Sequence, residues 1–552
     1  MTSTPVANPI RLGTRASLLA RTQSATVGNA LSEITGRPWE EVHIRTDGDD
    51  TTTSLNQPGN PGLFVSTLRR ALLAGEVDVI VHSFKDLPSA PEAGIVLAAV
   101  PERENPRDVL VCRDGLTLAT LPQGARVGTS SPRRSAMLLA KRPDLRIEPI
   151  RGNIDTRIRK ALDGDIDAVV LAYAGIARIG RTDVISEVFD PEVVVPAPAQ
   201  GALAVECREG DPLVAFLARL QDRFARLTTA AEREVLVGIS AECTTAIGAY
   251  ATYDGAELTL IAELFDENQH ARVRLTRSVE SNSIAIARGM GLFAASKLVL
   301  ASDINPVLLV RANDNEADRD ALAALGLGSI TDSYLNMSTS LSRSNADTLL
   351  SKMAEGVDWL VVTSQIAMPS WASLVGRDRL VSVLAEAQSK GMRVAAIGAK
   401  TAESLHALGA SIDLMPQLPS AAGLLAELPT KAGTLVFPHG SIAMRALPEG
   451  LASRGWSITE GVVYETSVVR PEPISTSLLR SGDISAIILR SPSAARAVAQ
   501  HLGTRTSIPV IVSGPTTADA ARSLGFNVAS IASSPAAVEM ARAVSEAINS
   551  AG

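Results

Sequence analysis

Residues 127–160 read VGTSSPRRSAMLLAKRPDLRIEPIRGNIDTRIRK, and this stretch contains the pattern that predicts the fold. Residues 126–129 predict a strand, Ser131 is placed to cap a helix, and Pro132 takes the first helical position, where proline is favoured. A second helix start follows at Asn153. Because a strand that leads through a cap into a helix is the repeating unit of α/β domains, the stretch predicts an α/β fold.

The same pattern recurs on both sides of this stretch. Residues 10–14 predict a strand, and Ser17 is placed to cap a helix that runs through Ala30. Residues 77–81 predict a buried strand that ends at the polar segment 82–86, and residues 167–171 predict another. Polar side chains therefore collect where strands end and helices begin, which is the edge of an open α/β sheet where ligands bind.

The stretch is also basic, with nine Lys or Arg against three acids in a chain of net charge −7. One interpretation is a solvated helix face, which suits Lys141, Arg142, Arg159 and Lys160. A second is a nucleic-acid surface, which the 3% aromatic content and the acidic chain disfavour. The third is a site for a small polyanion.

Several features favour the polyanion site. Arg133 and Arg134 fall in the first turn of a helix, where the dipole disfavours cations unless an anion lies between them. Arg151 and Arg157 flank the second helix start, and the planar guanidinium binds carboxylates through two hydrogen bonds. Hydroxyl donors come from residues 129–131, which are Thr129, Ser130 and Ser131.

Composition limits the class of protein. A chain of 552 residues is long enough for roughly three to five domains. We find no signal peptide pattern, and no apolar run reaches the ~18 residues that a membrane span needs. Cys112, Cys207 and Cys243 are too few and too far apart to predict a disulfide framework or a metal site. These observations predict a cytoplasmic protein.

Two further candidates lie outside the basic stretch. Lys85 and Asp86 directly follow a predicted strand, and Pro88 restricts the turn that carries them. They are either a surface ion pair or a carboxylate and an ammonium held at the ligand-binding edge. Cys243 is either a buried small hydrophobe or a reactive thiol.

The pattern changes after Cys243. Residues 258–264 and 271–275 predict antiparallel strands of a small α+β unit, residues 302–306 a linker, and residues 307–310 a new strand. An internal repeat follows, because GAKTA at 398–402 recurs as GPTTA at 514–518 and each copy follows an apolar strand. The repeat predicts two similar α/β lobes. Its glycine-rich turns either bind anions through backbone N–H groups or only pack helix on strand.

The N-terminal motifs together resemble the porphobilinogen deaminase family over residues 10–301. The resemblance rests on RLGTRAS (11–17), VHSFKDLP (81–88), RENPRD (103–108), VGTSSPRR (127–134), RGN (151–153) with Arg157, and VPAPAQGA (195–202). It implies two α/β lobes like those of periplasmic binding proteins, a small third domain, and a dipyrromethane cofactor attached covalently to Cys243. The ligand that carries several carboxylates would then be a growing chain of pyrrole rings.

The resemblance also implies roles for individual residues. Asp86 is the implied catalytic carboxylate, since a fixed anion stabilises the positive charge that develops when ammonia leaves porphobilinogen and also carries protons. The implied cofactor-binding residues are Lys85, Arg133, Arg134, Thr129, Ser130 and Ser131, and the implied substrate-binding residues are Arg15, Ser17, Arg151 and Arg157. The chain departs from the family at Gln57, Pro61, Ala241, Glu242 and Ala246.

The C-terminal half, residues 306–551, resembles the uroporphyrinogen-III synthase family. The motifs are DWLVVTS (358–364), the two repeated turns, GVVYET (461–466) and SPSA (491–494). The resemblance implies that Tyr464 is an acid that helps hydroxide leave. It also implies that hydroxyls grip substrate carboxylates, namely those of Thr363, Ser364, Thr516 and Thr517. The substrate of this family is the product of the deaminase.

We therefore predict a deaminase half at 1–305, with lobes at about 1–101 plus 201–218 and 102–200, and a cofactor-bearing domain at about 219–302. The synthase half is 306–552, with lobes at about 306–340 plus 470–552 and 341–466. The prediction is a monomer that acts on small molecules and binds neither nucleic acid nor membranes. Alternatives are a deaminase with a C-terminal scaffold, or a carrier of an anionic metabolite, which would have no use for Asp86 or Cys243.

Overall fold

The computed structural model describes residues 8–44, 63–239, 245–265, 272–300, 303–311, 315–338, 343–418, 420–442, 445–469, 472–502 and 507–551. The N-terminal strands are β1 (Ile10–Thr14), β2 (Trp39–His43), β3 (Val79–Ser83), β4 (Ile95–Ala99), β5 (Asp108–Cys112), β6 (Arg126–Gly128), β7 (Arg146–Glu148), β8 (Ala168–Ala172), β9 (Glu187–Val188), β10 (Leu203–Arg208), β11 (Ile247–Tyr253), β12 (Glu257–Phe265) and β13 (Arg272–Glu280). The helices among them are α1 (Leu18–Thr35), α2 (Leu63–Leu73), α3 (Pro132–Lys141), α4 (Ile154–Leu162), α5 (Tyr173–Arg178), α6 (Leu213–Leu217), α7 (Arg223–Gly238) and α8 (Ile284–Leu300).

The C-terminal half alternates strands and helices in the same way. Its strands are β14 (Val307–Leu309), β15 (Ser329–Thr331), β16 (Leu335–Ser338), β17 (Trp359–Val362), β18 (Arg393–Ala396), β19 (Thr434–Gly440), β20 (Ser457–Val468), β21 (Ala486–Leu489), β22 (Val510–Val512) and β23 (Val528–Ile531). Its helices are α9 (Glu316–Ala323), α10 (Arg343–Glu355), α11 (Ala367–Val375), α12 (Arg377–Ser389), α13 (Ala399–His406), α14 (Ala421–Glu427), α15 (Ala446–Ala452), α16 (Ser475–Ser481), α17 (Pro492–Leu502), α18 (Pro515–Ser523) and α19 (Ala537–Ala551). The chain is a mixed α/β protein, as predicted.

The predicted helix starts are confirmed by their caps. The Ser17 hydroxyl accepts a hydrogen bond from the Ala20 N–H, and Ser131 caps α3 with Pro132 in its first turn. The Asn153 side chain caps α4. Helix α1 is longer than expected and ends at Thr35, because Gly36 takes the left-handed conformation that closes a helix.

The first two sheets share one arrangement. The first has the strand order β2-β1-β3-β10-β4 and the second β7-β6-β8-β5-β9. In each, three parallel strands are followed by an antiparallel strand, β10 or β5, which ends the parallel run. Because β10 returns to the first sheet after the second sheet is complete, the chain crosses between the two sheets twice. The crossings bring residues 83–86 and 195–202 close to β5 and α3.

Strands β11, β12 and β13 form a small antiparallel sheet that packs on α7 and α8, which confirms the antiparallel pairing expected after Cys243. Two further sheets follow, in the orders β15-β14-β21-β22-β23 and β16-β20-β19-β17-β18. The first of these is parallel throughout and joins β14 to strands near the C-terminus.

Helix α8 contacts the C-terminal half. Leu292 and Phe293 share one buried apolar cluster with Leu308, Ile330 and Leu478. Arg277, from β13, forms an ion pair with Asp483, and its guanidinium stacks 3.9 Å from the centre of the Phe293 ring. The two halves are therefore joined by a packed apolar surface as well as by the peptide chain.

Candidate active sites

The ends of β1, β3, β6 and β8 surround a cleft of about 800 Å³. Its lining is rich in cationic and hydroxyl side chains, and Asp86 is the carboxylate that lies beside Lys85 in it. Eight residues proposed from the sequence line this cleft, namely Arg15, Ser17, Lys85, Asp86, Ser130, Arg134, Arg151 and Arg157. The structure thus brings together side chains that lie up to 142 positions apart in the chain.

A second cleft of about 700 Å³ shares Lys85, Asp86 and Arg134 with the first and adds Ser131 and Arg133. Its wall includes Leu236, Thr245 and Ile247, which come before and after residues 240–244 in the sequence. Cys243 and Glu242 lie outside the described residues, as do Gln57 and Pro61. The second cleft is therefore lined by described residues that precede and follow the proposed attachment cysteine in the sequence.

Lys85 and Asp86 occupy a single tight turn directly after β3. Asp86 is exposed, whereas Lys85 is half-buried and donates a hydrogen bond from Nζ to Gln200 Oε1 at 3.1 Å. Burial lowers the pKa of Lys85 to about 8, although the adjacent Asp86 carboxylate opposes the shift. The turn therefore presents an anion to the clefts next to a cation whose charge depends on nearby groups.

Helix α7 holds this turn from behind. Arg233 donates to the carbonyl oxygens of Phe84 and Leu87, each at 3.0 Å, and to that of Pro88 at 2.7 Å. Its guanidinium also stacks 4.5 Å from the centre of the Phe84 ring. The position of Asp86 is thus fixed by a residue more than 140 positions later in the chain.

Arg133 and Arg134 enclose an anion, and that anion is the buried carboxylate of Asp108. Arg133 Nη1 lies 2.8 Å from Asp108 Oδ2, and Arg134 donates from Nε and Nη2 to Oδ1 at 3.1 and 2.7 Å. Burial alone would raise the pKa of Asp108, but the two guanidinium groups hold it well below its usual range. The anion expected between these arginines is therefore supplied by the protein, and both side chains are buried.

Arg151 and Arg157 differ from that pair. Arg151 is exposed at the rim of the first cleft, and Arg157 is half-buried with Nε bonded to the Gly152 carbonyl at 2.8 Å. Burial and the neighbouring Arg134 lower the pKa of Arg157. Both residues line the first cleft, which suits their guanidinium groups to an incoming anion.

The three hydroxyls before α3 hold the backbone. The Thr129 hydroxyl accepts from the Ser131 N–H, and Ser131 caps α3 through the Arg134 N–H. Ser130 Oγ bonds to both the carbonyl and the N–H of Ile150, at 2.8 and 3.0 Å. Ser130 therefore ties the end of β6 to the segment that carries Arg151.

Sequence reasoning missed several residues of this site. Gln23, Arg178 and Gln200 line the first cleft, and Asp108 lies behind it. Arg178 donates to the Gly201 carbonyl at 2.6 Å, and Gln23 donates to the Ser83 hydroxyl at 2.8 Å. Asp108 and Gln200 were inside quoted motifs, but only the fold shows what they contact.

In the C-terminal half, Tyr464 and Ser364 meet. The Tyr464 hydroxyl donates to Ser364 Oγ at 3.1 Å, so β20 and the end of β17 place two of the proposed residues side by side. Thr363 precedes Ser364 at the same strand end. A Cβ added at Gly440 would lie 2.4 Å from the Tyr464 ring, so glycine is needed there for the ring to pack.

The repeated turns at Gly398 and Gly514 have the same local structure. Gly398 and Gly514 each precede a helix, α13 and α18, with extended backbone and no side-chain cap. Thr517 is buried, as is Thr401 at the equivalent position of the first copy, whereas Thr516 is exposed. This burial is consistent with the packing interpretation at Thr517, and the binding role of its hydroxyl stays a prediction.

Among the residues that the structure describes, no helix combines the length and the apolar character needed to cross a membrane. Within the same described ranges, no group of three or more His, Cys, Asp or Glu side chains could hold a metal ion.

The fold and these clefts define an α/β protein whose N-terminal site suits a ligand with several carboxylates. Residues 10–215 match the family model "Porphobilinogen deaminase, dipyromethane cofactor binding domain", and residues 316–542 match "Uroporphyrinogen-III synthase HemD". The chain is 49% identical over 299 residues to a porphobilinogen deaminase of Thermobifida fusca, covering 53% of this chain and 93% of that protein. Porphobilinogen deaminase 1 of Streptomyces coelicolor is 52% identical over 247 residues, which are 44% of this chain and 77% of that protein.

A solved uroporphyrinogen III synthase from Thermus thermophilus, a mutant form, is similar to 45% of this chain and 99% of its own length, with a TM-score of 0.34 and 18% identity. The chain belongs to the porphobilinogen deaminase family, and a uroporphyrinogen-III synthase domain is fused to its C-terminal side.

Proposed function

We propose that the chain is a bifunctional enzyme of tetrapyrrole biosynthesis in which the clefts around Asp86 are the deaminase site. The N-terminal half joins four molecules of porphobilinogen into hydroxymethylbilane. The C-terminal half closes this product to uroporphyrinogen III with inversion of the last ring. The observation that carries the proposal is the convergence of Asp86, Lys85 and the arginines of four strand ends on connected clefts.

The clefts fit a dipyrromethane cofactor by the chemistry of their donors. Each pyrrole ring carries two carboxylates, and the first cleft offers the guanidinium groups of Arg15, Arg134, Arg151 and Arg157. The dipyrromethane supplies the ring to which the first substrate unit is joined. Lys85, Arg133, Arg134 and the residue 129–131 hydroxyls would hold it, with Cys243 as the point of attachment.

Asp86 is the proposed catalytic residue. It is exposed in both clefts on a turn that Arg233 fixes, so its carboxylate can approach the pyrrole N–H of a bound substrate. A fixed anion there stabilises positive charge on the ring as ammonia leaves, and it accepts and returns protons. Arg15, Ser17, Arg151 and Arg157 would bind the carboxylate arms of the incoming unit.

In the synthase half, Tyr464 would donate a proton to the leaving hydroxyl group. Its hydrogen bond to Ser364 holds the phenol in one orientation. The Thr363, Ser364 and Thr516 hydroxyls would bind substrate carboxylates, while burial of Thr517 favours its backbone N–H over its hydroxyl for that role.

We also propose the domain limits given above, a monomeric chain, and a cytoplasmic location.

Incubation of the pure chain with porphobilinogen tests the whole proposal. The expected product, after oxidation and chromatography, is mainly the type III porphyrin without added synthase. Only type I product would leave a deaminase with a C-terminal scaffold. Lack of porphobilinogen consumption, together with an unmodified mass for the N-terminal half, would support the anion carrier instead.

A further inference from the structure

Gln200 is the buried polar side chain that connects the two sheets at the deaminase site. Its side chain is almost fully buried, and it lines both clefts. Its Oε1 accepts from Lys85 Nζ at 3.1 Å, and its Nε2 donates to Asp108 Oδ1 at 2.9 Å and to the Pro106 carbonyl at 2.7 Å. One amide therefore joins the turn after β3 to the Asp108 carboxylate that Arg133 and Arg134 share.

The backbone around Gln200 is held in an unusual shape. Ala199 has φ +60°, and Gly201 has φ +89°. A left-handed alanine is uncommon, and it persists only where the surroundings enforce it. A Cβ at Gly201 would lie 2.3 Å from the Glu104 carbonyl oxygen, so the chain passes too close there for another residue.

The enforcing contact comes from helix α7. Glu232 is fully buried and accepts from the Ala199 N–H at 2.6 Å and from the Ala251 N–H at 2.7 Å. Arg103 pairs with the same carboxylate at 2.8 Å and donates to the Gln200 carbonyl at 2.9 Å. Helix α7 and the segment that carries Arg103 thus fix the peptide that orients the Gln200 amide.

We propose that Gln200 is a positioning residue of the deaminase site, which sets the place of the Lys85 ammonium relative to the Asp108, Arg133 and Arg134 cluster. The proposal rests on the proposed deaminase function for its catalytic consequence, but the placement of Lys85 can be measured without turnover.

The consequence for Lys85 has a definite sign. The charged groups that face it are Asp86, Asp108, Arg133 and Arg134, with Arg15 across the clefts. Loss of the Gln200 acceptor disfavours the ammonium form, so Gln200→Met lowers the pKa of Lys85. In Gln200→Glu the carboxyl lies beside the Asp108 carboxylate and the Pro106 carbonyl, so it keeps a proton to donate to them, still accepts from Lys85, and leaves the pKa of Lys85 unchanged.

The test uses the full chain and limiting acetic anhydride, with the extent of Lys85 acetylation followed against pH by peptide mass spectrometry. We expect the midpoint to move down in Gln200→Met and to stay in place in Gln200→Glu, which keeps an acceptor for Lys85 and a donor for Asp108. The matched control is Gln221→Met, which removes a glutamine that bonds to the Val100 backbone away from the clefts and leaves the midpoint unchanged. If Gln200→Met does not fold, Gln200→Asn takes its place. We expect a smaller downward shift of the Lys85 acetylation midpoint in Gln200→Asn, because the shorter amide cannot reach both Lys85 and Asp108.

Turnover gives the second readout. We expect kcat for porphobilinogen consumption to fall about 10-fold to 100-fold in Gln200→Met, because a displacement of about 1 Å in a catalytic site can slow a reaction by that much. KM should change less than kcat. An unmoved acetylation midpoint in Gln200→Met, or an equal downward shift in Gln200→Glu, would overturn the positioning role. A wild-type chain that consumes no porphobilinogen would overturn the proposed function instead, while the acetylation result would still decide the role of Gln200.

Discussion

Arg133 Nη1 lies 2.8 Å from Asp108 Oδ2 in the interior of the N-terminal half, where both side chains are shielded from water. This pairing separates the arginines of the basic stretch into two groups. Arg133 and Arg134 hold a carboxylate of the protein, whereas Arg151 lies exposed at the cleft rim. The two groups should respond differently to truncation.

Arg133→Ala should reduce stability as well as weaken the hold on the proposed cofactor. It leaves the Asp108 charge buried with one partner fewer, which costs about 3–5 kcal/mol in the free energy of unfolding. Arg151→Ala is the matched control and should change that free energy by no more than about 0.5 kcal/mol. Denaturant titration of both variants is the measurement, and equal destabilisation by the two would contradict the division.

Arg151→Ala should instead impair the reaction. A charge-assisted hydrogen bond to a ligand carboxylate contributes about 1.5–3 kcal/mol, so kcat/KM for porphobilinogen should fall roughly 10-fold to 100-fold. Trapped intermediates analysed by mass spectrometry should carry shorter pyrrole chains. Wild-type kinetics and wild-type chain lengths would place Arg151 on a solvated face.

Asp86→Asn should keep the fold and the covalent cofactor but lose turnover by on the order of 100-fold or more. The amide retains the shape of the side chain while removing the negative charge and the proton acceptor. Asp114→Asn is the control, because Asp114 is an exposed carboxylate that lines neither cleft. The rate of porphobilinogen loss measures both, and near-normal turnover in Asp86→Asn would remove it from the mechanism.

The local parts of this site could be predicted from the sequence, and the tertiary parts could not. Ser131 with Pro132 marks a helix start within a few residues. The apolar run of β3 likewise predicts that Lys85 and Asp86 lie directly after the end of a strand. Gln200 reaches Lys85 from 115 positions away, and Arg233 reaches Phe84 from 149 positions away, so no local spacing records these contacts.

Thr517 shows a second limit of sequence reasoning. The repeat predicted the turn and the helix that follows it, but the pattern does not say which residue of the Thr516–Thr517 pair is buried. Insertion of β10 into the first sheet brought Gln200 to the clefts. That crossover depends on the pairing of distant strands. The contact of Asp108 with Arg133 and Arg134 also depends on such pairing, so the sequence alone could not identify Asp108 as their partner.

The two halves should stay associated when the chain is cut near Asn305. The fragment 1–305 should make type I product, and addition of 306–552 should restore type III. Because Phe293 packs in a cluster with Leu478 and Arg277 pairs with Asp483, the fragments should also elute together in gel filtration.

Gly289→Leu should disrupt that association, since even a Cβ at this position would lie 2.5 Å from Ser477 Oγ. Ala285→Leu, on an exposed face of α8, is the control and should leave elution unchanged. We expect the affinity between fragments to fall at least about 10-fold in Gly289→Leu, equivalent to ~1.4 kcal/mol. Separate elution of the unmodified fragments would show that the packed surface contributes little.

Tyr464→Phe should shift the product of the intact chain towards type I while porphobilinogen consumption stays unchanged. The variant keeps the ring, which packs against Gly440, and removes only the hydroxyl that donates to Ser364. Hydroxymethylbilane that the synthase does not capture closes spontaneously to type I, so loss of the proton donor appears as a change of isomer.

Ser364→Ala is the matched variant, because it keeps the Tyr464 hydroxyl and removes its acceptor. If Tyr464 is the acid, Ser364→Ala should shift the isomer ratio less than Tyr464→Phe does. Chromatographic separation of the oxidised porphyrins measures both ratios. An unchanged ratio in Tyr464→Phe would assign the cyclisation to the way the cleft folds the substrate, with the hydroxyl of Tyr464 serving only to hold Ser364 at the end of β17.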